Sequence, residues 1–151
     1  MIIRKVKKED FDQVFEIEQS CFIDPYPKKQ LEYEFNENPL NVFLVALDES
    51  KIVGFIDFMI TFNSATIVQI AVIKEYRKQG IATQLLKEME NTFPKDIDDI
   101  VENVTLEVRK SNVAAINLYK KNGYEEVIDK KHYYPDGEDA KYMVKRLLLC
   151  R

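Results

Sequence analysis

The segment Arg77-Lys78-Gln79-Gly80-Ile81-Ala82 sets two cations and a glycine directly before an amphipathic stretch. A helix that starts there exposes amide N–H groups with no intrahelical acceptor at the positive end of its dipole. Anions such as a pyrophosphate bind at such ends. Gly80 lets the backbone approach phosphates closely, Ala82 keeps the next turn small, and Arg77 and Lys78 add charge. The same six residues also fit an ordinary helix start with solvated basic side chains, so two readings stand. Gly-x-x-x-x-Gly-Lys-Ser/Thr and Gly-x-Gly-x-x-Gly are both absent. With only Gly54, Gly80, Gly123 and Gly137, neither of those nucleotide loops can be built, which argues against a Walker-type ATPase and a dinucleotide-binding Rossmann domain.

Two neighbouring runs add further chemistry. Gln69-Ile70-Ala71-Val72, just upstream, reads as a strand whose backbone edge can pair with an amide-bearing ligand arm; a buried core strand is the plain alternative. Downstream lies Leu106-Glu107-Val108-Arg109-Lys110-Ser111-Asn112, followed by Ala115 and Tyr119. On a strand Leu106 and Val108 share one face, and Glu107 and Arg109 the other. Glu107 is then either a reactive carboxylate or one half of an ion pair with Arg109. Asn112, Ala115 and Tyr119 fall on one helix face. Asn112, or Ser111 before it, also suits a helix cap, and Tyr119 also suits a core.

The elements that position these residues follow from periodicity. Ile2 to Val6 reads as a strand, and Lys8 to Cys21 as a helix with Asp10 near its start. Pro25 and Pro27 break the chain before a shorter helix from about Lys28 to Glu37. Val42–Leu47, Ile52–Phe62 and Ala65–Ile73 read as three antiparallel strands. The last is almost continuously apolar, as in a strand covered on both faces. Gly80 to Phe93 carries an apolar stripe of Ile81, Ala82, Leu85, Leu86, Met89 and Phe93. Asp96 to Glu102 is an acidic connector. Val104–Val108 is a strand, Asn112–Asn122 a helix, and Gly123 a left-handed cap. Tyr124–Tyr134 and Ala140–Leu149 close the chain as a hairpin through Pro135-Asp136-Gly137. The order is β-α-α-β-β-β-α-β-α-β-β, a mixed α/β fold with a central mixed sheet and helices on both faces, in one domain over residues 1–151.

Composition narrows the function. At 151 residues, 46% hydrophobic and 32% charged, the chain reads as a soluble globular protein. A net charge of −4 speaks against non-specific nucleic-acid binding. The start, Met1 to Lys8, is too charged for a signal peptide, and no apolar run approaches a membrane span, so the expected location is the cytoplasm. Cys21 and Cys150, at opposite ends, read as reduced thiols, with Cys21 beside Phe22 in core packing. His132 is the sole histidine, so a nucleophilic triad has only it to use, and zinc sites needing several imidazoles are excluded.

Taken in order, these segments resemble the Gcn5-related N-acetyltransferase (GNAT) family. Arg77 to Ala82 matches its Arg/Gln-x-x-Gly-x-Gly/Ala signature. Leu106-Glu107-Val108-Arg109, Ser111-Asn112, Leu118-Tyr119, Gly123-Tyr124, Tyr133-Tyr134-Pro135 and Glu138-Asp139-Ala140 are similar to the branch that acetylates ribosomal-protein alanine N-termini. The resemblance implies acetyl-CoA as cosubstrate, no metal, and direct transfer to a protein N-terminal α-amine. It implies that Ile70, Ala71 and Val72 hold the pantetheine arm, that Arg77, Lys78, Gln79, Gly80, Ile81, Ala82 and Thr83 cradle the pyrophosphate, and that Asn112 contacts the cofactor. Glu107 is then the general base and Tyr119 the general acid, with Phe22, Tyr26, Tyr133 and Tyr134 lining the acceptor groove. The implied partner is a protein N-terminus such as a ribosomal protein's, with no nucleic acid or membrane, the enzyme being a monomer or weak dimer. A small-molecule amine, such as a polyamine or amino-sugar, is the alternative acceptor, and a non-catalytic coenzyme A-binding module the alternative of another class.

Overall fold

The computed structural model describes residues 1–147. Cys150 and the end of the expected last strand lie outside the described residues. The element order is β1 (Ile2–Lys5), α1 (Phe11–Cys21), α2 (Lys28–Asn36), β2 (Asn41–Asp48), β3 (Lys51–Thr61), β4 (Ser64–Val72), α3 (Ile81–Asn91), β5 (Asn103–Arg109), α4 (Val113–Lys121), β6 (Glu125–Lys130) and β7 (Ala140–Arg146). The strands form a mixed seven-stranded sheet, order β1-β2-β3-β4-β5-β7-β6, flanked by helices. The expected element order and fold class hold. Among the described residues no helix is long and apolar enough to cross a membrane.

The chain clusters into two units. One comprises Met1–Met59 and Gln69–Phe93. Its core joins Val14 and Ile17 of α1 and Leu31 of α2 to the alternate residues Phe43, Val45 and Leu47 of β2, with Phe55 and Ala71. Phe35 links the layers, 5.3 Å from Phe11 and 4.9 Å from Phe43 between ring centroids. Each fully buried aliphatic or phenyl side chain contributes roughly 1.5–3 kcal/mol. The first helix begins later than the sequence suggests. Lys8–Asp10 is a 3-10 turn, because the Asp10 carboxylate accepts from the Lys7 amide at 2.7 Å and from Arg4 at 2.7 Å. α3 packs on β2 through its stripe of Ile81, Leu85, Leu86 and Met89.

The doubly covered strand is β3, not β4. Residues Ile52–Phe58 are buried without interruption, whereas β4 alternates between buried and half-buried positions. That continuous burial takes in the carboxylate of Asp57, which is 0% exposed.

The second unit comprises Ile60–Val68 and the chain from Pro94 onward. Here β4 pairs in parallel with β5 over a short ladder, Ser64–Thr66 against Asn103–Thr105. β5 and β6 both pair antiparallel with β7. Leu106 and Val108 of β5 are buried with Met143 of β7, which leaves Glu107 and Arg109 on the opposite face as expected. Gly123, at φ +96°, closes α4. The strand expected to run to Tyr134 stops at Lys130. His132 adopts φ +52° and residues 131–139 form a tied loop, which puts Tyr133 and Tyr134 in that loop instead of in a strand.

Candidate active site

The first set of candidate residues belongs to the unit that carries α3. Lys78 and Gly80 both take left-handed backbone, φ +64° and +80°, so the chain turns sharply into the helix. The first intrahelical donor is the Gln84 amide, bonded to the Gly80 carbonyl at 3.0 Å, and no side chain caps the helix start. The amides of Ile81 and Ala82 therefore meet the general condition for anion binding at a helix N-terminus. A Cβ at Gly80 would meet nothing within 4 Å. The glycine answers the positive φ, and the space over it is open, which suits a diphosphate.

At the end of β4, Ala71 is buried while Ile70 and Val72 are half-buried. The Val72 carbonyl already accepts from Arg77 Nε at 2.8 Å, and Arg77 also reaches Cys21 Sγ at 3.7 Å. The Arg77 side chain is thus turned back onto β4 and α1 instead of standing with Lys78. Gly54 has a role that the sequence reading did not assign. A Cβ there would lie 2.7 Å from the Ala71 carbonyl oxygen, so glycine is what lets β3 approach β4 so closely; a glycine inside a strand was the available signal.

Phe22 and Tyr26 sit on the loop after α1, both half-buried and packed on the core cluster. Phe22 meets Phe55 edge-on at 6.5 Å. The Tyr26 amide donates to Glu18 Oε2 at 2.9 Å, and Gln69 Nε2 donates to the same oxygen at 2.8 Å. Burial, aided by Asp57, Glu34 and Glu18, pushes the Tyr26 phenol well above its usual range.

The second set lies in the unit that carries β5. Glu107 pairs with Lys130 of β6, Nζ to Oε1 2.8 Å, and not with Arg109. Arg109 instead bonds Asp136 at 2.8 Å and Glu138 at 2.9 Å and stacks 4.2 Å from the Tyr134 ring. Glu138 also accepts from the Ser111 amide at 2.9 Å, and Asp139 accepts from His132 N and Lys131 Nζ, each at 3.0 Å. These bonds fix the loop that carries Tyr133 and Tyr134, whose rings stand perpendicular at 5.0 Å. Tyr134 is pushed up to about 12, chiefly by burial, and Glu107 is among the charges that bear on it.

Tyr119 is 6% exposed and meets Tyr124 edge-on at 5.7 Å. Burial first, then Tyr134, raises its phenol well above the ordinary value. Tyr134 thus bears electrostatically on Tyr119 and is itself influenced by Glu107, and its ring meets that of Tyr133. Asn112 caps α4, its Oδ1 accepting from the Ala115 amide at 3.2 Å. The sequence reading missed Lys130 and Tyr142, which lies opposite Glu107 on β7. Among the described residues no group of three or more His, Cys, Asp and Glu could hold a metal ion.

Comparison with known proteins identifies the family. The family model for the acetyltransferase (GNAT) family matches residues 11–124. An uncharacterized N-acetyltransferase of Methanocaldococcus jannaschii is 39% identical over 146 residues, covering 97% of this chain and 92% of the relative. An N-alpha-acetyltransferase of Saccharolobus solfataricus is 34% identical, covering 96% and 92% respectively. Among solved structures, the ribosomal-protein-S18-alanine N-acetyltransferase of Escherichia coli superposes with a TM-score of 0.84 at 28% identity, over 99% of this chain and 96% of that one. With a family model covering most of its length and relatives named for the same transfer, the chain belongs to the GNAT family and is an N-acetyltransferase.

Proposed function

We propose that this enzyme transfers the acetyl group of acetyl-CoA directly to the α-amine of a protein N-terminus, in the cytoplasm, with small first residues such as alanine or serine favoured. The observation that carries the reading is the half-buried carboxylate of Glu107, held 2.8 Å from a Lys130 ammonium that lies over the Tyr133 and Tyr142 rings, with the buried phenol of Tyr119 on the next helix. Relatives named for N-alpha and alanine acetylation support the choice of acceptor.

The cosubstrate supplies an activated acyl group as a thioester. Lys78 to Thr83 would cradle its pyrophosphate at the start of α3, with Ile70 and Ala71 offering backbone groups to its amide arm. Glu107 takes a proton from the attacking nitrogen as the new C–N bond forms and the C–S bond breaks. A free α-amine has a pKa near ~7.7–8.0 and a lysine amine near ~10.4, so the α-amine reaches its reactive neutral form far more readily. Tyr119 remains a phenol because burial disfavours its anion, so it serves as a hydrogen-bond donor to the departing sulfur. Holding amine and thioester together supplies much of the remaining acceleration, with no covalent enzyme intermediate.

Incubation with labelled acetyl-CoA and peptides bearing free or blocked N-termini tests the reading. Labelling confined to the free N-termini is expected. Equal labelling of both, or labelling of polyamines alone, refutes it.

A further inference from the structure

The ammonium of Lys130 sits in a cage built for a cation. Its Nζ lies 2.8 Å from Glu107 Oε1, 4.6 Å from the centroid of the Tyr142 ring and 5.6 Å from that of Tyr133. Strand register explains the arrangement. Glu107 is opposite Tyr142, while Arg109 and Lys130 are both opposite Ala140. Directly opposed residues project to the same face, and so do residues two apart on one strand. Glu107, Tyr142, Ala140 and Lys130 therefore share a face, and the small Ala140 lets a lysine from β6 reach across β7 to a carboxylate on β5. The side chains of Lys130 and Glu107 remain 36% and 20% exposed, so an incoming amine can reach the pair. The neighbouring cations are otherwise engaged: Arg109 by Asp136 and Glu138, Lys141 by Glu126 and Asp129.

We propose that Lys130 is a specificity-determining residue: its ammonium holds the cation position of the cage formed by Glu107, Tyr133 and Tyr142, so that Glu107 serves an uncharged α-amine in preference to an alkylammonium. The inference rests on the reading of Glu107 as the proton acceptor. An acceptor arriving as an ammonium must dislodge Lys130 from a carboxylate and two aromatic faces, or stand beside a like charge. An uncharged amine needs only to donate a hydrogen bond to a carboxylate that has several lone pairs to offer. Lysine side chains and polyamines are almost wholly cationic at neutral pH, whereas a sizeable share of α-amines is not. The resident ammonium converts that difference in basicity into a choice of acceptor.

The test measures kcat/KM for a lysine-free peptide with a free N-terminus and for an N-terminally blocked peptide with one lysine, using Lys130→Met and Lys130→Arg. Methionine keeps the apolar stem and removes the charge. In Lys130→Met the lysine peptide is expected to gain about tenfold relative to the N-terminal peptide, through KM more than kcat. Tetramethylammonium should then inhibit the N-terminal reaction at correspondingly lower concentration, and Lys130→Arg should keep the parent's behaviour. An unchanged ratio and unchanged inhibition in Lys130→Met, or an equal change in Lys130→Arg, overturns the proposal. If Lys130→Met does not reach the parent's melting temperature, Lys130→Gln takes its place. Glu107→Gln separates the two ideas. Full turnover in that variant refutes the reading of Glu107 itself, whereas lost turnover beside an unchanged Lys130→Met ratio refutes only the role of Lys130.

Discussion

Glu107 and Tyr119 have opposite surroundings, and those surroundings suit the two tasks proposed for them. Glu107 keeps a fifth of its side chain in solvent, beside the Lys130 ammonium, so an incoming amine can reach it. Tyr119 is buried and its anion is disfavoured. A thiol near ~8.5 is already more acidic than an ordinary phenol near ~10, and burial widens that gap, so in the proposed role Tyr119 would hydrogen-bond the sulfur in preference to full proton transfer. Glu107→Gln is expected to lower kcat by ~10²–10⁴ with the KM for acetyl-CoA unchanged. Tyr119→Phe is expected to lower kcat by roughly 10² with the melting temperature nearly kept. Thiol release under steady-state conditions measures both. A Tyr119→Phe enzyme of parental kcat would reduce that phenol to core packing with Tyr124.

At the scale of elements, the turn into α3 is set by backbone conformation. Gly80 stands at φ +80° with open space above it, so a methyl group there meets no neighbour, yet the left-handed backbone costs an L-residue roughly 1–2 kcal/mol. Gly80→Ala should lower the melting temperature by several degrees and raise the KM for acetyl-CoA, while the KM for peptide changes little. Gly80→Asn should be milder, because asparagine tolerates this region better. Thermal melts and cosubstrate titrations check the pair; equal effects from both variants would point to crowding instead. The loop after β6 is held differently, by charged bonds from Arg109, Ser111 and Lys131 to Glu138, Asp136 and Asp139. Those bonds present Tyr133 and Tyr134 without any strand pairing of their own.

At the scale of the molecule, stability carries the mark of buried acids. Asp57 is 0% exposed and neither carboxylate oxygen has a hydrogen-bond partner among the described residues. Burial raises its pKa well above the ordinary value, and Glu34 and Glu18 push the same way; Glu18 is itself raised by burial. In the unfolded chain an aspartate titrates near ~3.9. Above that pH the folded chain keeps a proton that the unfolded chain has released, so Asp57's contribution is whole below about pH 4 and is lost as pH rises toward the folded value. Asp57→Asn removes this term. Its melting temperature relative to the parent should therefore climb between about pH 5 and pH 8. A difference constant across that range would show that the buried carboxyl does not titrate differently on folding.

Local pattern was enough for the element order, the loop before α3, the segregation of Glu107 and Arg109 from Leu106 and Val108, and the Gly123 cap, because helical and strand periodicity, capping and left-handed glycine are short-range properties. The family was legible for the same reason, since its signature residues are close in sequence. Only the tertiary structure decided which cation Glu107 meets. Lys130 lies 23 residues away, and its reach depends on the β6–β7 register, which shifts between Glu126 and Ile128, and on the small Ala140 between the partners. Arg109, the neighbour that sequence proximity suggested, is drawn off by two acids of a loop whose path begins where β6 stops. The burial of β3 in place of β4 has a similar origin: an apolar run shows that a strand can be covered on both faces, but the packing of other elements decides whether it is.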